Sequence, residues 1–593
     1  MSETDQNKKS ASEDRYSIPV RKENSTDGGY DIFPTFRIED DRIYMGFDSL
    51  AGRLESSRII TIDGYCGTFF DEISDQLNSI LRYKGFSTSW INTFDLLKPT
   101  GEISEMTAPF RGGEDPLFGK RTTLCLKDFF RPGIFGSIAP DPSADFNFII
   151  GPGASLARWD SLLVYADVPK NVIRKRARNG LVTNMGMTSP SDMNEMYKLF
   201  YFVDWIVLNR HKEEILPRID VFIDTQRPLV PVWIEGKTLR ETITSISLNF
   251  FRTRPWFEPG PWGGTWIRDH IEGIDKTEPN YAWSFELISP ENGLIIESSS
   301  LLCEISFDLL MYQEAGSVLG DCYSEFGTEF PIRFDYLDTF DGGNLSLQCH
   351  PQLDYMKENF GESFTQEEAY YILDARDDAS VYLGFRDDIV PEEFRKGLED
   401  SYNSGVTLDP EKYILQHPSK RHDFFLIPPG TIHGSGRNNL VLEISSTPYI
   451  FTFKMYDWQR PDLDGKPRPL NISRGMDNLC FERKGNYVTE HLISHPSLLE
   501  EGRDWKLWHL PTHEKHFYDV KRYQFMSAIE ITTENKCLVL NLVGGRSIEL
   551  TASAGYTSKF NYAETFVIPA AAGTVKVKNL SEDEAILIVA FVK

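Results

Sequence analysis

The stretch Asn344-Leu-Ser-Leu-Gln-Cys-His-Pro351 alternates polar and apolar residues with a period of two. Read as an extended strand, it turns Ser346, Gln348 and His350 to one side and Leu345, Leu347 and Cys349 to the other. The surrounding sequence is apolar enough to bury both sides. A buried polar side then needs a partner such as a metal or a substrate, because an unpaired buried polar group costs roughly 2–7 kcal/mol. Glu368-Ala-Tyr-Tyr-Ile-Leu-Asp374 follows as a second strand, with Glu368 at its start. Further on, Phe425-Leu-Ile-Pro-Pro-Gly-Thr-Ile-His433-Gly434 reads as a buried strand running into a Pro-x-Gly turn, with a histidine three residues after the glycine.

Gln348 and His350, then Glu368, then P-x-G-x-x-H ending in His433 follow the order of the cupin arrangement. That arrangement implies a β-barrel holding one ion with an open coordination position. Two imidazoles, a carboxylate and an amide oxygen suit a borderline divalent ion such as zinc, one per chain. Two other histidine pairs, His491/His495 and His513/His516, have no carboxylate or glycine context and are read as surface residues.

Working outward, a chain of 593 residues exceeds one hydrophobic core, and roughly three or four domains are expected. Residues 1–29 are polar and read as a disordered tail. Residues 30–190 alternate strands and helices, as in Arg58-Ile-Ile-Thr-Ile-Asp-Gly-Tyr-Cys-Gly67 followed by helical apolar spacing at Phe70, Ile73, Leu77, Ile80 and Leu81, and predict an α/β layer. Residues 191–254, with Tyr197, Phe200, Tyr201, Phe202 and Trp205, read as a helical connector. From 255 the texture becomes all-β, with a helical insertion at Pro391–Ser401. This gives a main barrel domain at 255–515 and a smaller one at 516–593. The fold class is thus α/β plus all-β.

Lys and Arg total 62 against 88 Asp and Glu, a net charge of −26. That balance argues against nucleic acid and against an anionic membrane surface, both of which attract basic proteins. Seven scattered cysteines without CxxC spacing read as reduced thiols. No apolar run approaches the ~20 residues that span a bilayer, and the first 29 residues lack a signal-peptide core. A cytoplasmic location is expected.

Two resemblances bear on these segments. Gly64-Tyr-Cys-Gly67-Thr-Phe-Phe-Asp71 resembles the strand-loop-helix of uridine-kinase-like P-loop proteins, but lacks the lysine and hydroxyl that a P-loop uses to hold phosphate and magnesium. It is read as a degenerate relic with no nucleotide-binding residues. The second resemblance is to the type I phosphomannose isomerases. It rests on Leu345-Ser-Leu-Gln-Cys-His-Pro351, Glu368-Ala-Tyr-Tyr-Ile-Leu-Asp-Ala375, Pro429-Gly-Thr-Ile-His433, Phe453-Lys-Met-Tyr-Asp-Trp-Gln-Arg460 and Gly260-Pro-Trp-Gly-Gly264. It covers about 255–593.

This likeness implies a two-barrel cupin protein that interconverts mannose 6-phosphate and fructose 6-phosphate with zinc, through a cis-enediol. It gives Gln348, His350, Glu368 and His433 the metal-ligand roles and Lys454 a catalytic one. Ser346 and Arg460, with Lys454, are candidates for the phosphate. Two positions depart from the family: Lys454 stands for an arginine, and Gln366 stands for a lysine two residues before the ligand glutamate. The alternatives are a cupin dioxygenase, since His, His and Glu also hold iron(II), and a non-catalytic sugar-phosphate-binding protein. Of these, Gln348 favours the isomerase, because the sugar isomerases share it.

Overall fold

The computed structural model describes residues 18–22, 29–446, 448, 450–463 and 465–593. The chain forms two compact units. Phe33–Ile246 and Pro290–Glu314, with residues 18–22, make the first; Ser247–Ser289 and Ala315–Lys593, with residues 29–32, make the second. Most of the expected tail at 1–29 lies outside the described residues. Its placed part is tied down: Ile18 is buried in a small cluster with Ile295 and Leu302, and Arg21 bridges Leu301.

The first unit is built on a seven-stranded sheet of β1 (Ile43–Met45), β2 (Ile59–Gly64), β3 (Thr88–Asn92), β4 (Phe146–Ile150), β5 (Leu162–Asp167), β6 (Val221–Asp224) and β7 (Val232–Glu235). Their order is β1-β7-β6-β5-β2-β4-β3. The five strands from β3 to β6 in that row are parallel, and β7 and β1 close it antiparallel. Parallel strands covered by helices read as continuous apolar runs, which is what Leu162–Ala166 is and what Phe146–Ile150 is apart from Asn147. Helix α1 (Phe47–Leu54) and helix α2 (Phe70–Tyr83) bury Leu50, Leu54, Phe70, Ile73, Leu77 and Leu81 against this sheet.

Residues 191–254 are more than a helical connector. They hold helices, including α3 (Trp205–Ile215), but also β6 and β7, which extend the same sheet. Val221-Phe-Ile-Asp224 and Val232-Trp-Ile-Glu235 are too short to announce themselves beside the aromatic helical runs; pairing of β6 with β5 and of β7 with β6 and β1 makes them strands. Residues 290–314 likewise join the first unit through long-range contacts that no local pattern signals.

In parallel sheets the crevice at the carboxyl ends of the strands is where ligands bind. Here it is filled by the chain itself. Asp63, near the end of β2, accepts N–H groups from Gly64 at 2.7 Å, Gly153 at 2.8 Å and Ser155 at 2.9 Å, and pairs with His211 of α3 at 2.8 Å. Burial pushes its carboxyl up, but His211 and the Ser155 bonds prevail and hold it below its ordinary range. The turn after β2 is closed too. Arg176 donates to the Gly67 carbonyl at 2.7 Å and stacks on Phe69 at 4.1 Å, and a Cβ at Gly67 would meet Ile173 at 2.9 Å.

The second unit holds two pairs of sheets. In the first pair, a six-stranded sheet contains β8 (Trp256–Glu258), β9 (Trp283–Leu287), β10 (Ile332–Asp338), β12 (Glu368–Ala375), β15 (Phe424–Ile427) and β17 (Asn439–Ser446). It faces a five-stranded sheet of β11 (Leu347–Cys349), β13 (Ser380–Phe385), β14 (Ile414–Pro418), β16 (His433–Ser435) and β18 (Phe453–Tyr456). Leu337, Ile372, Phe425 and Val441 of one sheet and Val381 and Leu383 of the other share a core. The expected insertion is a helix at Pro391–Ser404, started by a proline and ended at Gly405 with φ of 72°. The second pair comprises six strands and four strands around Leu540, Leu550, Phe566, Val577 and Leu587. It begins earlier than residue 516, because Ser497–Glu501 and Trp505–Leu510 pair into its larger sheet.

Replacing Asp63 by alanine strands three buried N–H groups and His211. The expected cost is about 3–5 kcal/mol, read as a lower denaturant midpoint for the first unit at pH 7.

Candidate metal centre

The register of the strands assembles the site. Gln348 on β11 lies directly opposite His433 on β16. On the facing sheet, Glu368 at the start of β12 lies opposite Ser445, which lies opposite Arg333. His350 follows β11 immediately and is 1% exposed; Glu368 and His433 are both at 0%. Side-chain parity therefore places these groups on the inward faces of two sheets. The inward face is graded along its length: Leu337, Val441, Ile372 and Phe425 keep one end apolar, and the polar groups collect at the other.

One ligand atom from each of His350, Glu368 and His433 lies within 4.8 Å of the others. His350 Nε2 lies against the Glu368 carboxylate, and His433 Nε2 lies 3.2 Å from the same oxygen. Each imidazole donates its Nδ1–H to a backbone carbonyl, His350 to Phe451 at 3.2 Å and His433 to Thr431 at 2.9 Å. This tautomer leaves both Nε2 lone pairs aimed at the centre, the outer arrangement that metal-binding histidines use. Burial lowers the His350 pKa, against the pull of Glu368, so the ring is neutral and able to coordinate. Burial would raise Glu368, but His350 and His433 outweigh it and hold the carboxyl well below the usual range.

The donor set fits a divalent ion. Glu368 Oε1 is buried without a hydrogen-bond partner, an arrangement expensive for a carboxylate unless a cation compensates it. Gln348 Nε2 is 3.3 Å from His433 Nε2, and its Oε1 accepts from Ser346 Oγ at 3.1 Å. A half-turn of that amide presents its oxygen to the same centre.

The other expected residues divide. Ser346 is one shell out, oriented to Gln348. Lys454 is the Cα partner of Gln348 on β18, and among the described residues no hydrogen bond or ion pair reaches its Nζ. Burial and Arg468 bring its pKa down to about 8, with Asp457 and Asp462 opposing. Arg460 is already engaged, by the Asn344 carbonyl at 2.8 Å and by Asp457 at 2.6 Å. His513 and His516 are buried, not on the surface; His516 stacks on Tyr518 at 5.0 Å. Nothing in their spacing signals this, because the burial comes from strands elsewhere in the chain. His491 and His495 are exposed.

The structure adds a group that motif reading passes over. Arg333, Asp335, Glu443 and Ser445 share the inward face with Glu368 and Tyr370. Glu443 Oε1 accepts from Arg333, from Ser445 at 2.9 Å and from Gln366 at 3.4 Å. Ile332-Arg-Phe-Asp-Tyr336 alternates as residues 345–350 do, before Leu337 breaks the pattern, and the same parity argument would have found Arg333 and Asp335.

Residues 46–248 match a protein family described as Domain of unknown function (DUF8485). The chain is 28% identical over 224 residues to the probable mannose-6-phosphate isomerase GmuF of Bacillus subtilis (strain 168), covering 38% of this chain and 66% of that protein. It is 21% identical over 329 residues to the mannose-6-phosphate isomerase ManA of the same organism, covering 56% and 96%. Among solved structures, the mannose 6-phosphate isomerase from Bacillus subtilis aligns with a TM-score of 0.46 at 21% identity, over 58% of this chain and 99% of that one. A putative mannosephosphate isomerase from Archaeoglobus fulgidus aligns at 0.44 and 17%, over 58% and 98%.

His433→Ala removes one of the three groups that converge on the buried site. Metal affinity is expected to fall by more than the roughly 10–100-fold cost of losing an outer partner, measured by metal analysis after dialysis at pH 7. Because binding needs a neutral imidazole and an ionised carboxylate, affinity is expected to be lost as pH falls, with protons displacing the ion.

Proposed function

We propose that the second unit is a metal-dependent aldose–ketose isomerase that interconverts mannose 6-phosphate and fructose 6-phosphate. The observation that carries this reading is the convergence of His350, Glu368 and His433 on one buried point beside Gln348, in a chain whose relatives bear the name mannose-6-phosphate isomerase. Gln348, His350, Glu368 and His433 hold one zinc-like ion. Bound there, the ion supplies positive charge to the sugar's oxygens as negative charge develops on them.

The chain's own residues supply the rest. The Nδ1–H bonds to the Phe451 and Thr431 carbonyls hold both imidazoles in the coordinating tautomer. The apolar end of the inward face, with Leu337, Ile372 and Val441, excludes water and strengthens the charge interactions beside it. Lys454 offers an uncommitted ammonium to the anionic substrate, and Ser346 orients the Gln348 amide. Arg460 acts by bracing Asp457 and the Asn344 backbone. A net charge of −26 makes such a local cation necessary for any sugar phosphate.

For the first unit we propose a structural role without nucleotide chemistry. The support is Asp63, whose carboxylate takes the N–H groups at the strand ends that a phosphate would otherwise use. No helix among the described residues is long and apolar enough to cross a membrane. The proposed cytoplasmic location is supported by the seven free cysteines.

A coupled assay with mannose 6-phosphate tests the function: fructose 6-phosphate should form, a chelator should stop it, and restored zinc should revive it. No turnover with metal restored would sink the proposal. Lys454→Ala should lose activity at least ~10-fold while keeping its metal, since one charge-assisted contact is worth roughly 1.5–3 kcal/mol. The ammonium is charged below its pKa of about 8 and neutral above it. KM for the phosphate substrate should therefore rise between pH 7 and 9, and Lys454→Arg should flatten that rise.

A further inference from the structure

Three carboxylates stand on the inward face shared by β10, β17 and β12: Asp335, Glu443 and Glu368. Two have work assigned to them by their contacts. Glu368 is met by His350 and His433. Glu443 collects Arg333, Ser445 and Gln366 on one oxygen. Asp335 is different. It is 3% exposed, its Oδ1 has no hydrogen-bond partner, and a loose ion pair to Arg333 Nε at 3.4 Å steadies it.

Its position is close to the centre without being part of it. Asp335 is the cross-strand partner of Glu443, which is the partner of Tyr370, two residues along β12 from Glu368. The Tyr370 hydroxyl is buried too, and burial first, then the Glu368 and Asp335 carboxylates beside it, raise its pKa well above the ordinary phenol value. Among the described residues, no hydrogen bond joins Asp335 to Gln348, His350, Glu368 or His433. A buried carboxylate oxygen that accepts no hydrogen bond and has only a loose ion pair is costly unless a polar ligand visits it.

We propose that Asp335 is the catalytic residue that carries the proton between C2 and C1 of the sugar, a role that rests on the isomerase reading above. Its carboxylate takes the proton from C2 of the aldose. The C2–H electron pair forms the C1=C2 bond, and the carbonyl pair moves to O1. The O2 proton passes to O1, the pair left on O2 forms the new carbonyl at C2, and the C1=C2 pair takes the proton back from Asp335 at C1. The carboxylate is regenerated, and no oxidant or reductant is consumed. Arg333 is then a positioning residue, pairing with Asp335 through Nε and with Glu443 through Nη2.

The ionisation of Asp335 is consistent with this task. Burial raises its pKa to about 6, with Arg333 opposing and Glu368 adding to the rise. A proton carrier works best when its pKa lies near the operating pH.

The test uses the full-length, zinc-loaded protein and three variants in D2O, with mannose 6-phosphate as substrate. Asp335→Asn keeps the shape and removes the base. It should retain metal stoichiometry and KM within about 3-fold, lose kcat by roughly 10²–10⁴-fold, and fail to place solvent deuterium at C1 of fructose 6-phosphate. Asp335→Ala should regain part of its kcat in added formate, which only a folded, metal-loaded site can show. Asp335→Glu should retain measurable deuterium transfer. Asp335→Asn turning over within about 3-fold of the wild type would overturn the proposal, as would a folded, metal-loaded Asp335→Ala that formate does not revive. A wild-type protein inactive with metal present would overturn the isomerase reading, and this role with it, which separates the two failures.

Discussion

Glu368 has no access to water, yet its carboxyl is held ionised by two imidazoles that share one of its oxygens. That arrangement constrains much of the second unit. A carboxylate at that depth is tolerable only if cations or strong donors surround it, so β11, β12 and β16 must arrive in a register that leaves no slack. A shift of one residue in any of them would turn Gln348, Glu368 or His433 to the opposite face of its sheet. The carbonyls of Phe451 and Thr431 complete the constraint by fixing which nitrogen of each ring faces inward.

The two units solve the same problem of a buried carboxylate in opposite ways. Asp63 in the first unit is saturated: three backbone N–H groups and His211 account for it. Such a group rigidifies a crevice and leaves nothing over for a ligand. In the second unit Glu368 Oε1 and Asp335 Oδ1 accept no hydrogen bond although both lie on one buried inward face. Carboxylate oxygens left short of donors in this way are where chemistry is to be sought, because the folding cost they carry is recovered only on binding.

Charge follows the same division. The chain as a whole is acidic, and most cations of the second unit's interior are paired, Arg333 with Glu443 and Asp335, Arg468 and Arg460 with Asp457. Among the described residues no ion pair reaches Lys454, beside Gln348, and its lowered pKa reflects both burial and the Arg468 charge near it. An ammonium kept in that condition is a poor structural device and a good receptor for an anion.

Sequence alone determined the polar strand at 345–350, the Glu368 strand and the Pro-x-Gly turn before His433, because strand parity and turn chemistry are local properties that one residue hands to the next. It determined the alternating α/β pattern around residues 58–82 for the same reason. It did not determine where the first unit ends: β6 and β7 are four-residue runs whose strand character comes from pairing with β5 and with each other, and residues 290–314 return from a distance. Nor could it tell buried His516 from exposed His491, or a committed Arg460 from an uncommitted Lys454. Burial and pairing belong to neighbours far apart in the chain, and for those residues only the tertiary structure decided which polar groups were satisfied.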